Sequence, residues 1–147
     1  MSDVKELIRS FLSKHDNGER ADEEVRMLRE YLESLEHNSE ENITTVITEY
    51  VCQITGVNKD DIKTKNKNGD VVFARHVIAS EVFKYTSFNF RMIGNVINRS
   101  HSDVIYIINT SVPSYETSFK YRVILERIRE TVRDRFKNVQ VRGPAPR

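Results

Sequence analysis

Apolar residues along this chain recur mostly three and four positions apart, the period of a helix with one buried face. Val4, Leu7, Ile8, Phe11 and Leu12 form the first such stripe, over about residues 3–14, and "HDNGER" ends it with the turn residues Asn17 and Gly18. Val25, Leu28, Leu32 and Leu35 form a second, over about residues 22–36. Their 3-4-3 spacing resembles a coiled-coil seam, but two heptads are too short to stand as a free coiled coil. Together the two stripes predict a small helical hairpin, either packed on itself or offering a surface to a protein partner or a second copy. The polar stretch "EHNSEEN" reads as a linker.

The clearest stripe follows. Ile43, Val46, Ile47, Tyr50, Val51 and Ile54 keep 3-4 spacing, with Asn42 placed to cap the start and Gly56 to stop the end. Asn58 predicts the cap of a short turn, "NKDDIK", whose Asp60 and Asp61 suit the positive end of a helix. A basic loop, "KTKNKNGD", occupies residues 63–70. The next helix, about residues 72–85, buries Val77, Ile78, Val82 and Phe83. "TSFNF" interrupts, and Asn89 caps a short helix lined by Phe90, Ile93 and Ile97. After the turn "NRS", Ser100 caps another helix, and Asp103 three residues later completes the spacing of a capping box. Val104, Ile105 and Ile108 face inward there, and Pro113 marks a break. A final helix over about residues 115–136 carries Phe119, Val123, Ile128 and Val132, with basic residues outward. The pattern predicts an all-α chain: an acidic helical hairpin and linker over 1–41, a helical domain over 42–136, and a disordered tail over 137–147.

Composition narrows the function classes. The chain has 147 residues, room for one ordinary domain and a small addition, and is 38% hydrophobic and 31% charged. Three prolines, five glycines and no tryptophan favour helices over a β-sandwich. No apolar run is long enough to span a membrane, and "MSDVKELIRS" lacks the apolar core of a signal peptide. The single cysteine, Cys52, excludes an intrachain disulfide and a cysteine-based zinc site, and its place in an apolar stripe reads as a buried thiol. These features imply a cytoplasmic protein. The four histidines have neither HExxH nor alternating spacing, so no metal site is expected. His76 reads as a surface group beside Arg75, and His15 and His37 fall in polar breaks. Ser100 and Ser102 lack the G-x-S-x-G setting of a nucleophile, and the carboxylates of "ADEEVRMLREYLESLE" lie along a solvated helix face. The absence of G-x-x-x-x-G-K-[ST] excludes a P-loop ATPase, and no cofactor is implied.

The net charge of +1 hides an asymmetry. Residues 1–42 carry 6 Lys/Arg against 12 Asp/Glu, residues 43–110 carry 8 against 6, and residues 111–147 carry 9 against 4. An acidic head thus precedes a basic body, and a basic body suits an anionic partner.

From residue 42 to about residue 132 the order is helix, short helix, basic loop, helix, helix-turn-helix, final helix. This order, and the residues within it, resemble the C-terminal DNA-binding domain of the DnaA-type bacterial replication initiators. "NITTVITEYVCQITGVNKDDI" is similar to the opening helix of that domain and its V-x-x-x-D-L continuation. "VVFARHVIASEVF" resembles A-R-P-R-x-x-A-x-x-L, and "IGNVINRSHSDVIY" resembles the signature I-G-x-x-F-G-x-R-D-H-T-T-V. The resemblance implies a helix-turn-helix and double-stranded DNA as ligand. Carried over by position, Arg99, His101, Ser102 and Asp103 take the recognition role in the major groove, and Lys63, Lys65, Lys67 and Arg75 take the loop role near the minor groove and phosphates. The chain departs from the pattern at Phe73, which replaces the first arginine of A-R-P-R, at Ser100, which replaces an aspartate, and at Asp103, which replaces a threonine.

Physical reasoning runs the same way. The first residues of a recognition helix point at base edges, and His101 and Ser102 both donate and accept hydrogen bonds. Outside such a signature, His101 would read as a solvated surface histidine. The expectation is a non-enzymatic double-stranded DNA-binding protein that regulates replication or transcription. The alternative is a protein–protein interaction module that keeps the fold without specific DNA binding and uses residues 1–36.

Overall fold

The structure, a computed structural model, describes residues 6, 10, 22–36 and 39–143, and every regular element among them is helical. The first helix of the expected hairpin, over 3–14, and its turn lie outside the described residues apart from Glu6 and Ser10, which are helical. The chain divides into two compact units, residues 1–42 and 43–147.

In the first unit, α1 (Asp22–Glu36) matches the second apolar stripe. Val25 is buried, while Met27 and Tyr31 are exposed. Arg26 and Glu30 pair at 3.9 Å across one turn, both solvated, and such pairs contribute little.

In the second unit, α2 (Glu40–Thr55) starts before the expected Asn42. The Asn42 N–H donates to Ser39 Oγ at 3.3 Å, so Ser39 takes the capping position, and Glu40 and Glu41 fall in the first turn where the helix dipole favours them. Gly56, at φ +73°, ends the helix in the left-handed conformation expected of it. Asn58 caps a 3₁₀ turn, Lys59–Asp61, by accepting from the Asp60 N–H at 2.9 Å.

The central element is α3 (Gly69–Tyr85). Its burial extends well beyond the four residues of the sequence stripe. Phe73, Ala74, Val77, Ile78, Ala79 and Val82 are all at most 1% exposed, so it is enclosed on nearly every side. Packed against it are α4 (Phe90–Ile97), the segment Ile107–Ser111, α6 (Val112–Tyr115) and α7 (Phe119–Arg135), while α5 (His101–Tyr106) packs on α4. Ile93, Ile97, Val104, Leu125, Ile128 and Val132 complete the core.

Two expectations about the C-terminal part change. Pro113 does not break the chain's helical course. A π-turn over Ile107–Ser111 joins α5 directly to α6, with the Val112 N–H bonded to the Ile107 carbonyl. The wider turn accommodates a residue that has no N–H and crowds the preceding carbonyl in α-register. The break falls after Tyr115 instead. Phe119 and Val123 are not core residues either: they are 77% and 53% exposed. Tyr121 takes the inward place, stacking on Phe73 at 4.6 Å beside the edge-on ring of Tyr115, and this sets which face of α7 is buried. The described part of the tail runs to Gly143. Val139 packs on the core, the Arg142 N–H donates to the Lys84 carbonyl at 2.8 Å, and its guanidinium lies 4.2 Å over Phe83.

Candidate nucleic-acid interface

Between α4 and α5 the chain turns within three residues. Asn98 adopts φ 55°, ψ 54°, a left-handed cap that asparagine tolerates better than other side-chain-bearing residues. The Arg99 N–H then donates to the Gly94 carbonyl at 2.9 Å. A Cβ at Gly94 would stand 2.3 Å from the Arg99 carbonyl oxygen, so the turn closes this tightly only over glycine. Ser100 caps α5, its Oγ accepting from the Asp103 N–H at 3.2 Å. The other half of the expected box is missing: the Asp103 carboxylate makes no bond back to the Ser100 N–H.

The basic loop is ordered by its own alternation. Thr64 Oγ1 donates to the Asp61 carbonyl at 2.8 Å and accepts from the Asn66 N–H at 3.2 Å. Asn66 Oδ1 accepts from the Asn68 N–H, and Asn68 Oδ1 from the Asp70 N–H, at 2.9 and 3.0 Å, the second capping α3. Every second side chain therefore knits the backbone. The alternate positions, Lys63, Lys65 and Lys67, are exposed, and none forms an ion pair.

Arg75 lies beneath this loop and not on its surface. It is 3% exposed. Its Nε donates to the Ile62 carbonyl at 2.8 Å, and its Nη2 approaches the carbonyls of Asp61, Thr64 and Asn66 at 3.1–3.3 Å. Burial, and then the Arg99 charge, lower its pKa from the ordinary arginine value. Arg99 reaches the same loop from the turn. Its Nη2 donates to the Thr64 carbonyl at 3.0 Å, and its Nη1 to Asn98 and Ile97 carbonyls at 2.8 and 3.4 Å. Asn98 Nδ2 adds a bond to the Lys63 carbonyl at 3.0 Å.

These contacts bring loop and helix start together. Lys65, Lys67, Asn98, Arg99, Ser100 and Asp103 line one shallow depression. His101, Ser102 and Asp103 are exposed on the first turn of α5, and Tyr106, one turn further on, is 63% exposed. Lys63 is tied to the edge of this surface through its backbone. Of the eight residues expected in the interface, Arg75 alone is enclosed, and Arg99 is half-buried. Sequence reasoning missed Asn98, whose side chain ties loop to turn, and Tyr106, an aromatic exposed on the same helix. Exposure of Tyr106 could be anticipated from its place outside the Val104–Ile108 stripe.

His76, expected at the surface, is half-buried. Its Nδ1 is 2.8 Å from the Tyr115 hydroxyl. Burial, then Arg75, then Arg99 hold its pKa down at about 4. Burial, with Tyr121 adding to it, pushes the Tyr115 hydroxyl up to about 12.

A short helix, a left-handed turn beneath a glycine contact and a capped second helix with an exposed polar first turn form a helix-turn-helix. Residues 44–110 match the family model described as the bacterial DnaA protein helix-turn-helix, and the match supports a DnaA-type C-terminal DNA-binding domain in this part of the chain. No curated protein and no solved structure matches the chain. Among the described residues no helix is long and apolar enough to cross a membrane.

Proposed function

We propose that the chain is a cytoplasmic, non-enzymatic protein that binds duplex DNA and regulates replication or transcription. The observation that carries this reading is the joining of the lysine loop to the start of α5 through Asn98 and Arg99. Lys63, Lys65 and Lys67 contact phosphates, where they fix position without reading sequence. His101, Ser102, Asp103 and Tyr106 meet base edges in the major groove. Arg75 serves from below, holding the loop carbonyls so that the lysines stand outward. Arg99 adds positive charge at the junction and fixes the loop against the turn.

Selection from a pool of random duplexes, followed by sequencing, tests this. An enriched motif lost on changing His101 and Ser102 to alanine supports the reading. Failure to retain any duplex at low salt overturns it and favours a protein-binding role.

A further inference from the structure

Another concavity lies within the same unit, lined in part by Ile108 and Asn109 of the π-turn that continues α5. Its apolar wall comes from Phe83 of α3, from Ile108 in the π-turn, from Val112 and Pro113 of α6, and from Val141 of the tail. Lys84, Arg129 and Arg142 line it too, against one carboxylate, Glu116. The cations are not equally committed. Lys84 pairs with the buried Glu81 at 3.4 Å. Arg142 is spent on the Thr86 and Phe88 carbonyls and on the Phe83 ring. Arg129 gives Nη1 to Glu116 at 2.8 Å, but its Nε is buried with no hydrogen-bond partner in the protein. A buried guanidinium N–H without an acceptor is costly, and an anion that takes it forms a charge-assisted bond. Glu116 is half-exposed, so it can yield the outer edge of the guanidinium to a competing acceptor.

From this arrangement we infer that the cavity binds a small organic anion, its carboxylate, sulfonate or phosphate head on Arg129 and its apolar body against Ile108, Val112 and Val141. Apolar walls with a few convergent polar groups are what a small-molecule site requires. The head supplies the acceptor that Arg129 Nε lacks, and the body covers the apolar wall. The position gives such a ligand leverage. It presses on the π-turn of the same continuous helix whose first turn carries Ser100 and Asp103.

The probe is 8-anilinonaphthalene-1-sulfonate, with the uncharged N-phenyl-1-naphthylamine as its control, titrated into the full chain and followed by fluorescence. The expected result is saturable one-to-one binding of the sulfonate, weakened about tenfold or more by Arg129→Gln, with the uncharged dye insensitive to that change. Asn109→Trp, which fills the cavity from its wall and keeps its charges, should abolish binding of both dyes. It also keeps the test decisive if Arg129→Gln fails to fold. Sulfonate binding unaffected by Asn109→Trp, or no saturable binding to the unaltered chain, overturns the inference. So does an equal loss of both dyes in a folded Arg129→Gln variant.

Discussion

Arg75 and Arg99 donate to one oxygen: the Thr64 carbonyl lies 3.1 Å from Nη2 of the first and 3.0 Å from Nη2 of the second. One arginine comes from the central helix and the other from the turn before the recognition helix. Two like charges converge because a single loop carbonyl sits between them. The loop's position relative to α5 is set by this shared acceptor.

Arg75→Met should therefore uncouple the loop without touching a lysine. Removing the guanidinium strands the carbonyls of Ile62 and Asn66 and weakens the hold on Thr64, at a cost of about 2–4 kcal/mol. Denaturant unfolding reads the stability, and amide exchange over residues 61–68 should rise. Arg75→Lys should recover only part of the loss, because an ammonium cannot reproduce the fork. Full recovery by lysine would mean that charge alone, not bond geometry, holds the loop.

Gly94→Ala tests the turn. The added methyl meets backbone, not a movable side chain, so the turn must open. A destabilisation of about 2–3 kcal/mol is expected, with DNA affinity falling further than stability because α5 is re-aimed. A variant with unchanged unfolding midpoint would show that the turn is looser than the 2.3 Å approach implies.

Most of the fold could be read from local signals. Asn58, Asn89, Ser100 and Gly56 cap or stop the elements the sequence assigned to them, because a cap needs only its own neighbouring backbone. The misreadings depend on long-range packing. Arginine ordinarily sits outside, and nothing near Arg75 in the chain announces that four carbonyls up to 14 residues away will enclose it. Phe119 and Tyr121 compete for one inward place, and the ring of Phe73 decides between them. Pro113 read as a break because proline is excluded from regular α-helix, whereas a π-turn absorbs it. At the candidate site, the lysines were legible from composition. The Thr64–Asn66–Asn68 ladder was equally visible as an alternation, but its meaning required the backbone path.

The pH dependence of stability should show His76. Its pKa is lowered from 6.5 to about 4 on folding, so the folded state excludes a proton that the unfolded chain binds. This contribution is complete above pH 6.5 and is lost as the pH falls toward 4. Allowing for partial exposure, it amounts to about 2 kcal/mol. Glu81 acts in the opposite sense. Burial raises its pKa, so its contribution is present at low pH and is lost as the pH rises through the folded value. The His76→Phe variant isolates the first effect: its stability should fall less steeply than the unaltered chain's between pH 6.5 and 4. Parallel curves would place the ring in solvent.

Asp103→Thr separates capping from reading. The cap bond comes from the Ser100 hydroxyl, so Ser100→Ala should cost about 0.5–2 kcal/mol. Asp103→Thr should cost only the dipole contribution, about 0.3–1 kcal/mol. Removing a carboxylate from beside Lys65 and Lys67 should raise affinity for all duplexes. If preference at one base pair also relaxes, the carboxylate accepts from a base. A large loss of stability would instead restore the carboxylate to a capping role.

The most direct measurement is the salt dependence of duplex binding for the unaltered chain and for a variant with Lys63, Lys65 and Lys67 all changed to alanine. Log affinity should fall linearly with log salt, with a slope of about 0.9 for each phosphate contact. The triple variant should bind all sequences more weakly and lose about one unit of slope per lysine that touches a phosphate, while its unfolding midpoint stays in place. A triple variant with the same slope and affinity as the unaltered chain would contradict the account, since the lysine loop beside α5 would then lie outside the DNA interface.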